Sequence, residues 1–324
     1  MKNLKKSSII LTILSFLTLF TSANADIKVV ASIKPIHSLA SYLMDGVAKP
    51  DLIVDGYASP HGFAMKPSHA KMLQNADIVF RVGEDLENFL EKPLDSIATK
   101  AEKIELMDAK GIVKLKFRER NIFGDHDDHD DHDDHGHKKK DDHDDHDDHD
   151  EHEGHHHGEF DPHIWLDPIN ASAILKEMTE HLIENDSKNA SKYNSNLKKA
   201  LKDIDKLTAD GKSELNQSVA SIVFHDAYQY FEERFGVNIL GAFTVNTDVM
   251  PGAEQLAEIR EIIEHDNVAC VLSEPQFNPD IIKAVAKDMN IKTGVVDPLG
   301  ATLKPGKNLY FDLIRNMSAS FKGC

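Results

Sequence analysis

Short β-branched segments alternate twice with segments of helical periodicity in this 324-residue sequence, and this alternation restricts the fold more than any other feature. The first series has strands predicted at 27–32, 51–54, 77–82 and 103–106, with helices at 35–44, 66–75 and 86–98. The second has strands at 221–224, 237–240, 268–273 and 293–296, with helices at 227–235, 253–265 and 279–289. Such alternation is typical of parallel sheets with helices on their faces. The sequence therefore predicts an α/β protein of two lobes.

A heavily charged helical pattern lies between the two series. An amphipathic helix is predicted at 170–184 and a longer one at 187–215, where few helix breakers occur. A helix of about 29 residues extends roughly 43 Å, which suits a rigid connection between lobes. We expect an N-terminal lobe at 26–185, a linking helix at 186–217 and a C-terminal lobe at 218–324. Ligands of parallel sheets bind in loops beyond the carboxyl ends of the strands, and residues 56–63 form such a loop.

The N-terminus has the three-part pattern of a secretory signal peptide over residues 1–25. Three Lys precede an apolar run at 9–20, which ends in small residues before Ala25. A retained membrane anchor is the alternative, but about twelve apolar residues are fewer than the roughly 20 that span hydrocarbon. No Cys directly follows these small residues, so the sequence does not predict a lipid-anchored N-terminus. We predict cleavage near Ala25 and a mature chain outside the cytoplasm that does not insert into a membrane.

Residues 125–159 repeat Asp-Asp-His almost without interruption, and we call them the Asp-Asp-His tract. The tract holds twelve of the nineteen His of the chain: His126, His129, His132, His135, His137, His143, His146, His149, His152, His155, His156 and His157. Its 17 acidic residues and 3 Lys give it a charge of −14, which leaves −7 for the rest of the mature chain. A mildly acidic scaffold does not favour nucleic acid as a partner.

The tract lacks the apolar residues that offset backbone ordering, so we expect it to be disordered. Its imidazoles suit zinc, copper or nickel. A flexible chain should hold several such ions weakly and with little geometric selection, which makes the tract an accessory metal loop. The alternative is a solvated acidic linker without a metal role.

Three isolated His residues are sharper candidates for a metal site. His61 lies in the loop after the second predicted strand, His163 follows an Asp-Pro pair, and His225 follows the first strand of the second series. Zinc binds such ligands at about 2.0–2.1 Å in a tetrahedron whose fourth corner is a protein group or water. His37, His69, His181 and His265 are expected to be structural or surface residues.

Four carboxylates lie close in sequence to the ends of predicted strands or to the candidate His residues. Asp297 and Glu274 follow strands of the second series, while Asp161 and Asp226 lie beside His163 and His225 respectively. We predict Asp297 as a fourth ligand and the other three as acceptors for the second N–H of the metal-bound imidazoles. Helix caps or loop hydrogen bonds are the alternative roles for Asp297 and Glu274.

The chain has two Cys, Cys270 and Cys324. An oxidising compartment favours a disulfide between them, and a thiolate metal site is the alternative.

Several of these segments together resemble the zinc-uptake solute-binding proteins of bacterial ABC transporters. The segments are 56–75, 161–168, 224–231, 273–277 and 297–300, and the likeness extends in order over the whole mature chain, including the tract and the Cys pair. The resemblance implies a periplasmic protein with a single Zn²⁺ in the cleft between two lobes. It implies His61, His163 and His225 as ligands, an inner-membrane ABC permease as partner, and a disulfide between Cys270 and Cys324. We expect a monomer.

Two features of the resemblance bear on the metal. Related manganese-uptake proteins have a carboxylate at the position of His225, so a third imidazole favours zinc. Some zinc-uptake relatives have an acidic residue directly before the first His, where this chain has Pro60. Proline offers no side-chain ligand, which leaves Asp297 or water for the fourth position.

Two other functions fit parts of the sequence. Three imidazoles and a water also hold catalytic zinc in hydrolases, but the sequence has no His-Glu-x-x-His motif and Glu274 is its one plausible base. A metal buffer, in which the tract does the binding, is the other alternative. We predict a binding protein and not an enzyme.

Overall fold

The computed structural model describes residues 26–118, 120–123, 158–215, 219–247 and 249–324. The predicted signal peptide and every His of the Asp-Asp-His tract lie outside these residues.

The N-terminal lobe is a parallel four-stranded sheet with helices on its faces. Its elements are β1 Val29–Ile33, α1 Lys34–Leu43, β2 Asp51–Val54, α2 Pro67–Gln74, β3 Ile78–Arg81, α3 Glu91–Ser96 and β4 Glu102–Glu105. The strand order is β2-β1-β3-β4. All five residues of β1 are buried, as expected for a central strand that is covered on each face.

The helix predicted at 86–98 is wrong in its length. A short 3-10 turn at Asn88–Leu90 precedes α3, which has only six residues. Pro93 explains the break, because a proline lacks the N–H and clashes with the carbonyl four residues earlier in a helix interior. With α3 beginning at Glu91, Pro93 lies in the first turn, where it is tolerated.

Two helices connect the lobes. These are α4, Pro168–Asn185, and α5, Ala190–Glu214, which has 25 residues and follows a 3-10 turn at Ser187–Asn189. The side chain of Asp167 caps α4 by accepting a hydrogen bond from the Ile169 N–H at 2.7 Å. The same carboxylate accepts two hydrogen bonds from Arg234, each 2.7 Å long, so the cap also joins α4 to the C-terminal lobe.

The C-terminal lobe repeats the topology of the first. Its elements are β5 Ser221–His225, α6 Gln229–Phe235, β6 Ile239–Thr244, α7 Ala253–His265, β7 Cys270–Ser273, α8 Asp280–Met289, β8 Lys292–Val295 and α9 Leu309–Gly323. The parallel strands have the order β6-β5-β7-β8. These two sheets, with the long helix between them, confirm the predicted two-lobe α/β fold.

The last helix returns to the first lobe. Helix α9 packs against α1 and α5, and Cys324, which directly follows the helix, forms a disulfide with Cys270 of β7. The predicted disulfide is therefore confirmed. The predicted boundary that assigns 218–324 to one lobe stays a prediction, since α9 lies on helices of the other lobe.

A short segment that leads into the Asp-Asp-His tract crosses to the second sheet. We call residues 121–123 the β6 strap. The Phe123 N–H donates to Leu240 O at 2.9 Å and the Ala242 N–H donates to Asn121 O at 2.8 Å. Gly241 permits this approach, because a Cβ on it would lie 2.7 Å from Asn121 O.

Two hydrophobic clusters stabilise the structure. The larger one extends from the first sheet through α4, α5 and α9 into β5 and β7, so the lobes share a core. The smaller one packs α7 and α8 against the second sheet. Within the described residues, no helix is both long enough and apolar enough to cross a bilayer.

Candidate metal site

Three imidazoles from different parts of the fold meet in the cleft between the sheets. His61 comes from the loop between β2 and α2, and His163 directly precedes a 3-10 turn at Ile164–Leu166. His225 is the last residue of β5. One nitrogen from each of the three rings lies within 4.8 Å of the other two. The sequence therefore identified three residues that the fold brings together across 164 positions of the chain.

The spacing of the nitrogens suits a tetrahedral ion. The Nε2 atoms of His61 and His163 are 3.3 Å apart, and those of His225 and His163 are 3.4 Å apart. Two ligands on a tetrahedron with bonds of 2.0–2.1 Å are separated by about 3.3–3.4 Å. The three rings thus surround a position that a zinc-sized cation would fill without rearrangement.

Carboxylates fix the tautomers of two of the rings. Asp161 Oδ1 accepts from the Nδ1–H of His163 at 2.6 Å, and Glu274 Oε1 accepts from the Nδ1–H of His225 at 2.7 Å. With the hydrogen on Nδ1, the lone pair of each ring is on Nε2, which points to the shared position. Asp161 Oδ1 also accepts from the backbone N–H of His163 at 2.9 Å, so ring and backbone are held together.

Burial and mutual charge set the protonation of the site. Burial, together with the charge of His225, holds the pKa of His163 well below its ordinary value, so the His163 imidazole is neutral at pH 7. Burial acts to lower the pKa of His225, but the Glu274 carboxylate outweighs it and the pKa is raised. The Glu274 carboxylate therefore favours protonation of His225, and a cation at this position competes with the proton for the imidazole lone pair.

Asp226 does not contact the imidazole beside it in sequence. Its Oδ1 accepts from Arg118 Nη1 at 3.1 Å, and burial raises its pKa to about 7 although Arg118 acts in the opposite direction. Arg118 also pairs with Glu232 and stacks on the ring of Phe123, 4.0 Å from its centroid. Asp226, which directly follows His225, is thus linked through Arg118 to Phe123 of the β6 strap.

Asp297 is engaged in a turn. Its Oδ1 accepts from the backbone N–H groups of Leu299 and Gly300 at 3.2 and 2.9 Å and from Gln276 Nε2 at 2.9 Å. It does not line the cavity that the three imidazoles share with Glu274, Gln276 and Trp165. Its predicted role as fourth ligand stays a prediction, and no side-chain oxygen of the described residues joins the three nitrogens in one ligand cluster.

The walls of the cavity are rigid. Trp165 is fully buried, its ring centroid lies 5.3 Å from that of His163, and its Nε1–H donates to Pro298 O at 2.8 Å. Phe277 packs edge-on against His225 at 5.6 Å. These aromatic contacts keep water away from two ligands, whose residues are 3% and 5% exposed.

A second group with metal-ligand chemistry lies on the outer face of the N-terminal lobe. It consists of Glu102, His181 and Glu184, and it is partly exposed. The two ring nitrogens of His181 contact Glu102 Oε1 at 2.8 Å and Glu177 Oε1 at 3.2 Å. His181 is therefore a structural residue that joins α4 to β4 through its hydrogen bond to Glu102.

The chain matches a family of known proteins over most of its length. Residues 29–324 match the family described as zinc-uptake complex component A, periplasmic. The chain belongs to this family. It is 46% identical over 303 residues to the high-affinity zinc uptake system protein ZnuA of Brucella abortus, with 91% of each chain covered. It is 34% identical to the ZnuA of Yersinia pestis, covering 93% of this chain and 92% of that protein.

Solved structures of the family and of other metal-binding proteins share the fold. A ZnuA crystal structure superposes with a TM-score of 0.70 at 20% identity, covering 91% of this chain and 98% of the other. A zinc-bound ZnuA deletion mutant gives 0.71 at 19% identity, covering 91% and 96%. A manganese-bound periplasmic protein from Candidatus Liberibacter asiaticus gives 0.70 at 17% identity, covering 92% and 98%. Because zinc-bound and manganese-bound proteins share this fold, the fold alone does not select the metal.

Proposed function

We propose that this protein captures Zn²⁺ in the periplasm and delivers it to an ABC permease in the inner membrane. The observation that supports the proposal most is the convergence of three Nε2 atoms at 3.3 and 3.4 Å in a family of zinc-uptake components. His61, His163 and His225 would be the ligands. The relatives are transport proteins by name, and the chain is a binding protein rather than an enzyme.

The donor set favours zinc over manganese. Imidazole suits zinc, copper and nickel, whereas manganese prefers carboxylate, carbonyl and water oxygens. Asp161 Oδ1 and Glu274 Oε1 accept hydrogen bonds from the imidazoles, and neither carboxylate belongs to the ligand cluster of the three nitrogens. In this arrangement the carboxylates raise the basicity of their imidazoles and add negative charge that offsets the charge of the ion.

The Asp-Asp-His tract is an accessory in this proposal. It would gather ions weakly beside the cleft, while the three isolated imidazoles hold one ion tightly. Contacts between the segments that flank the tract support this role, because they lie close in sequence to the site: the Phe117 N–H donates to Glu159 O at 3.4 Å, and the Asp161 N–H donates to Leu115 O at 2.8 Å. Only Pro162 separates Asp161 from the ligand His163.

Zinc titration with a competing chromophoric chelator tests the proposal. The full mature chain should bind one zinc tightly, and so should a variant that lacks residues 125–157, which keeps the described contacts of Glu159. A His61→Ala, His163→Ala, His225→Ala triple variant should lose the tight site. Loss of all tight binding in the tract deletion would instead support the metal-buffer function. Delivery is tested by growth under zinc limitation, which the triple variant should fail to support.

A further inference from the structure

Gln276 has an oriented side chain at the edge of the metal cavity. It follows Glu274 and Pro275 after β7, and its Nε2 donates to Asp297 Oδ1 at 2.9 Å. The Asp297 oxygen is itself fixed by two backbone N–H groups, so it is a rigid acceptor. Because the amide nitrogen faces Asp297, the amide oxygen must face away from it.

The amide oxygen of Gln276 is buried and accepts no hydrogen bond within the described residues. Gln276 also lines the cavity that contains the three imidazoles. A buried acceptor without a donor is unfavourable by about 1–3 kcal/mol, so such an atom at a cavity edge indicates a donor from a bound species.

The missing fourth ligand supplies such a donor. The three Nε2 atoms would occupy three corners of a tetrahedron, Pro60 has no side-chain ligand atom, and no carboxylate oxygen of the described residues belongs to the same ligand cluster. The space open to the centre of a water molecule in the cavity is about 10 Å³. That is close to what one water requires. A zinc-bound water carries two hydrogens, one of which an amide oxygen can accept.

We propose that Gln276 holds the water that completes the zinc tetrahedron, and that Asp297 acts by orienting Gln276 rather than by binding the ion. This inference rests on the proposed zinc function. The amide accepts a hydrogen bond without adding a charge to the cavity. A carboxylate at the same position would compete as a direct ligand and would favour metals that prefer oxygen.

Three variants of the mature chain test the inference: Gln276→Leu, Asp297→Asn and the double variant. Zinc affinity is measured by chelator competition, and the coordination of bound Co²⁺ by its visible absorption. Gln276→Leu should weaken zinc binding about tenfold, the lower end of the effect of outer-shell partners, and should alter the Co²⁺ spectrum. Asp297→Asn keeps an oxygen that accepts from Gln276 and from the turn, so its affinity should stay within about threefold of the wild type. Gln229→Leu is the matched control, because Gln229 donates to Lys116 O away from the cavity, and it should change neither quantity.

The two residues should also behave as one unit. The Gln276→Leu, Asp297→Asn variant should bind zinc no more weakly than Gln276→Leu alone. The inference is overturned if Gln276→Leu has wild-type zinc affinity and a wild-type Co²⁺ spectrum. Loss of tight binding in Asp297→Asn would then identify Asp297 as a direct ligand. Failure of the proposed zinc function can be distinguished from failure of this inference. In that case the unmodified chain or the tract deletion would show no tight zinc site.

Discussion

The Cys270–Cys324 disulfide should contribute strongly to stability and little to metal binding. The bond closes a loop with a sequence separation of 54 residues. Loop-closure entropy for that length gives a stabilisation of about 4 kcal/mol. For a chain of roughly 300 residues with an unfolding entropy of about 2.1 cal/mol/K per residue, this corresponds to a fall in Tm of about 6–7 °C on removal of the bond.

The perturbation is Cys324→Ser, with calorimetry of the metal-free protein as the assay. Cys324 is the half-buried last residue, so its replacement adds little packing loss, whereas Cys270 is buried in β7. Reduction of the wild-type protein should lower Tm by the same amount. Cys270 begins β7 and Glu274 follows its end, about 13 Å away at 3.3 Å per residue, so zinc affinity should be unchanged. An unchanged Tm would refute the loop-entropy reasoning, and a large loss of zinc affinity would refute the separation of the bond from the site.

Three further perturbations test the site and the fold. Glu274→Gln removes the carboxylate that raises the pKa of His225, so zinc affinity should fall about 10–100-fold at pH 7. The weakening of affinity on acidification should then begin at a lower pH than in the wild type, and calorimetric titration across pH that gave superimposable profiles would contradict this role. Gly241→Val places a side chain against Asn121 O and should lower the free energy of unfolding by about 1–3 kcal/mol, measured by urea denaturation, with Gly252→Val as a control at a position whose Cβ meets no neighbour. Burial raises the pKa of Glu87 from 4.5 to about 7 against the hydrogen bond from Ser32. Since the folded state holds this proton more tightly than the unfolded state, its stabilisation is fully present below pH 4.5 and is lost as pH rises to about 7. The stability of wild type relative to Glu87→Gln should therefore fall by about 3 kcal/mol over that interval, and equal urea midpoints for the two proteins at each pH would exclude the effect.

The sequence was sufficient to predict the fold because each strand and helix carries its own periodicity. Buried strands such as β1 and β5 consist mostly of apolar residues, and the long helix has few breakers. The limits of α3 were less predictable, because the apolar spacing at 86–98 continues through Pro93 while the backbone does not. Local pattern thus specifies which elements exist better than where they end.

The convergence of the three imidazoles was predictable for a different reason. His61, His163 and His225 are isolated imidazoles in segments that resemble those of a known family, and two of them lie within two residues of a carboxylate in sequence. Adjacency was a poor guide to hydrogen bonding, however. His163 uses Asp161, two positions earlier, whereas His225 uses Glu274, 49 positions later, and not its neighbour Asp226.

The role of Gln276 was not predicted, since a glutamine in a loop has no distinctive pattern. The role of Asp297 was ambiguous in the sequence. A carboxylate after a strand can either bind a ligand or accept hydrogen bonds from the following turn, and the sequence Asp-Pro-Leu-Gly at 297–300 permits both. The turn bonds to Leu299 and Gly300 are visible only once backbone conformation is known. The available signal was the position of Gln276, two residues after Glu274, which was itself predicted to lie at the site.

The β6 strap has a consequence for folding after export. Strand β6 is at the edge of its sheet, and an open edge is a template for pairing with another chain. The strap supplies hydrogen bonds to that edge at Leu240 and Ala242. A polypeptide that emerges unfolded from a translocon is exposed to such pairing until its edges are covered. The segment that directly precedes the Asp-Asp-His tract therefore also protects the second lobe against self-association.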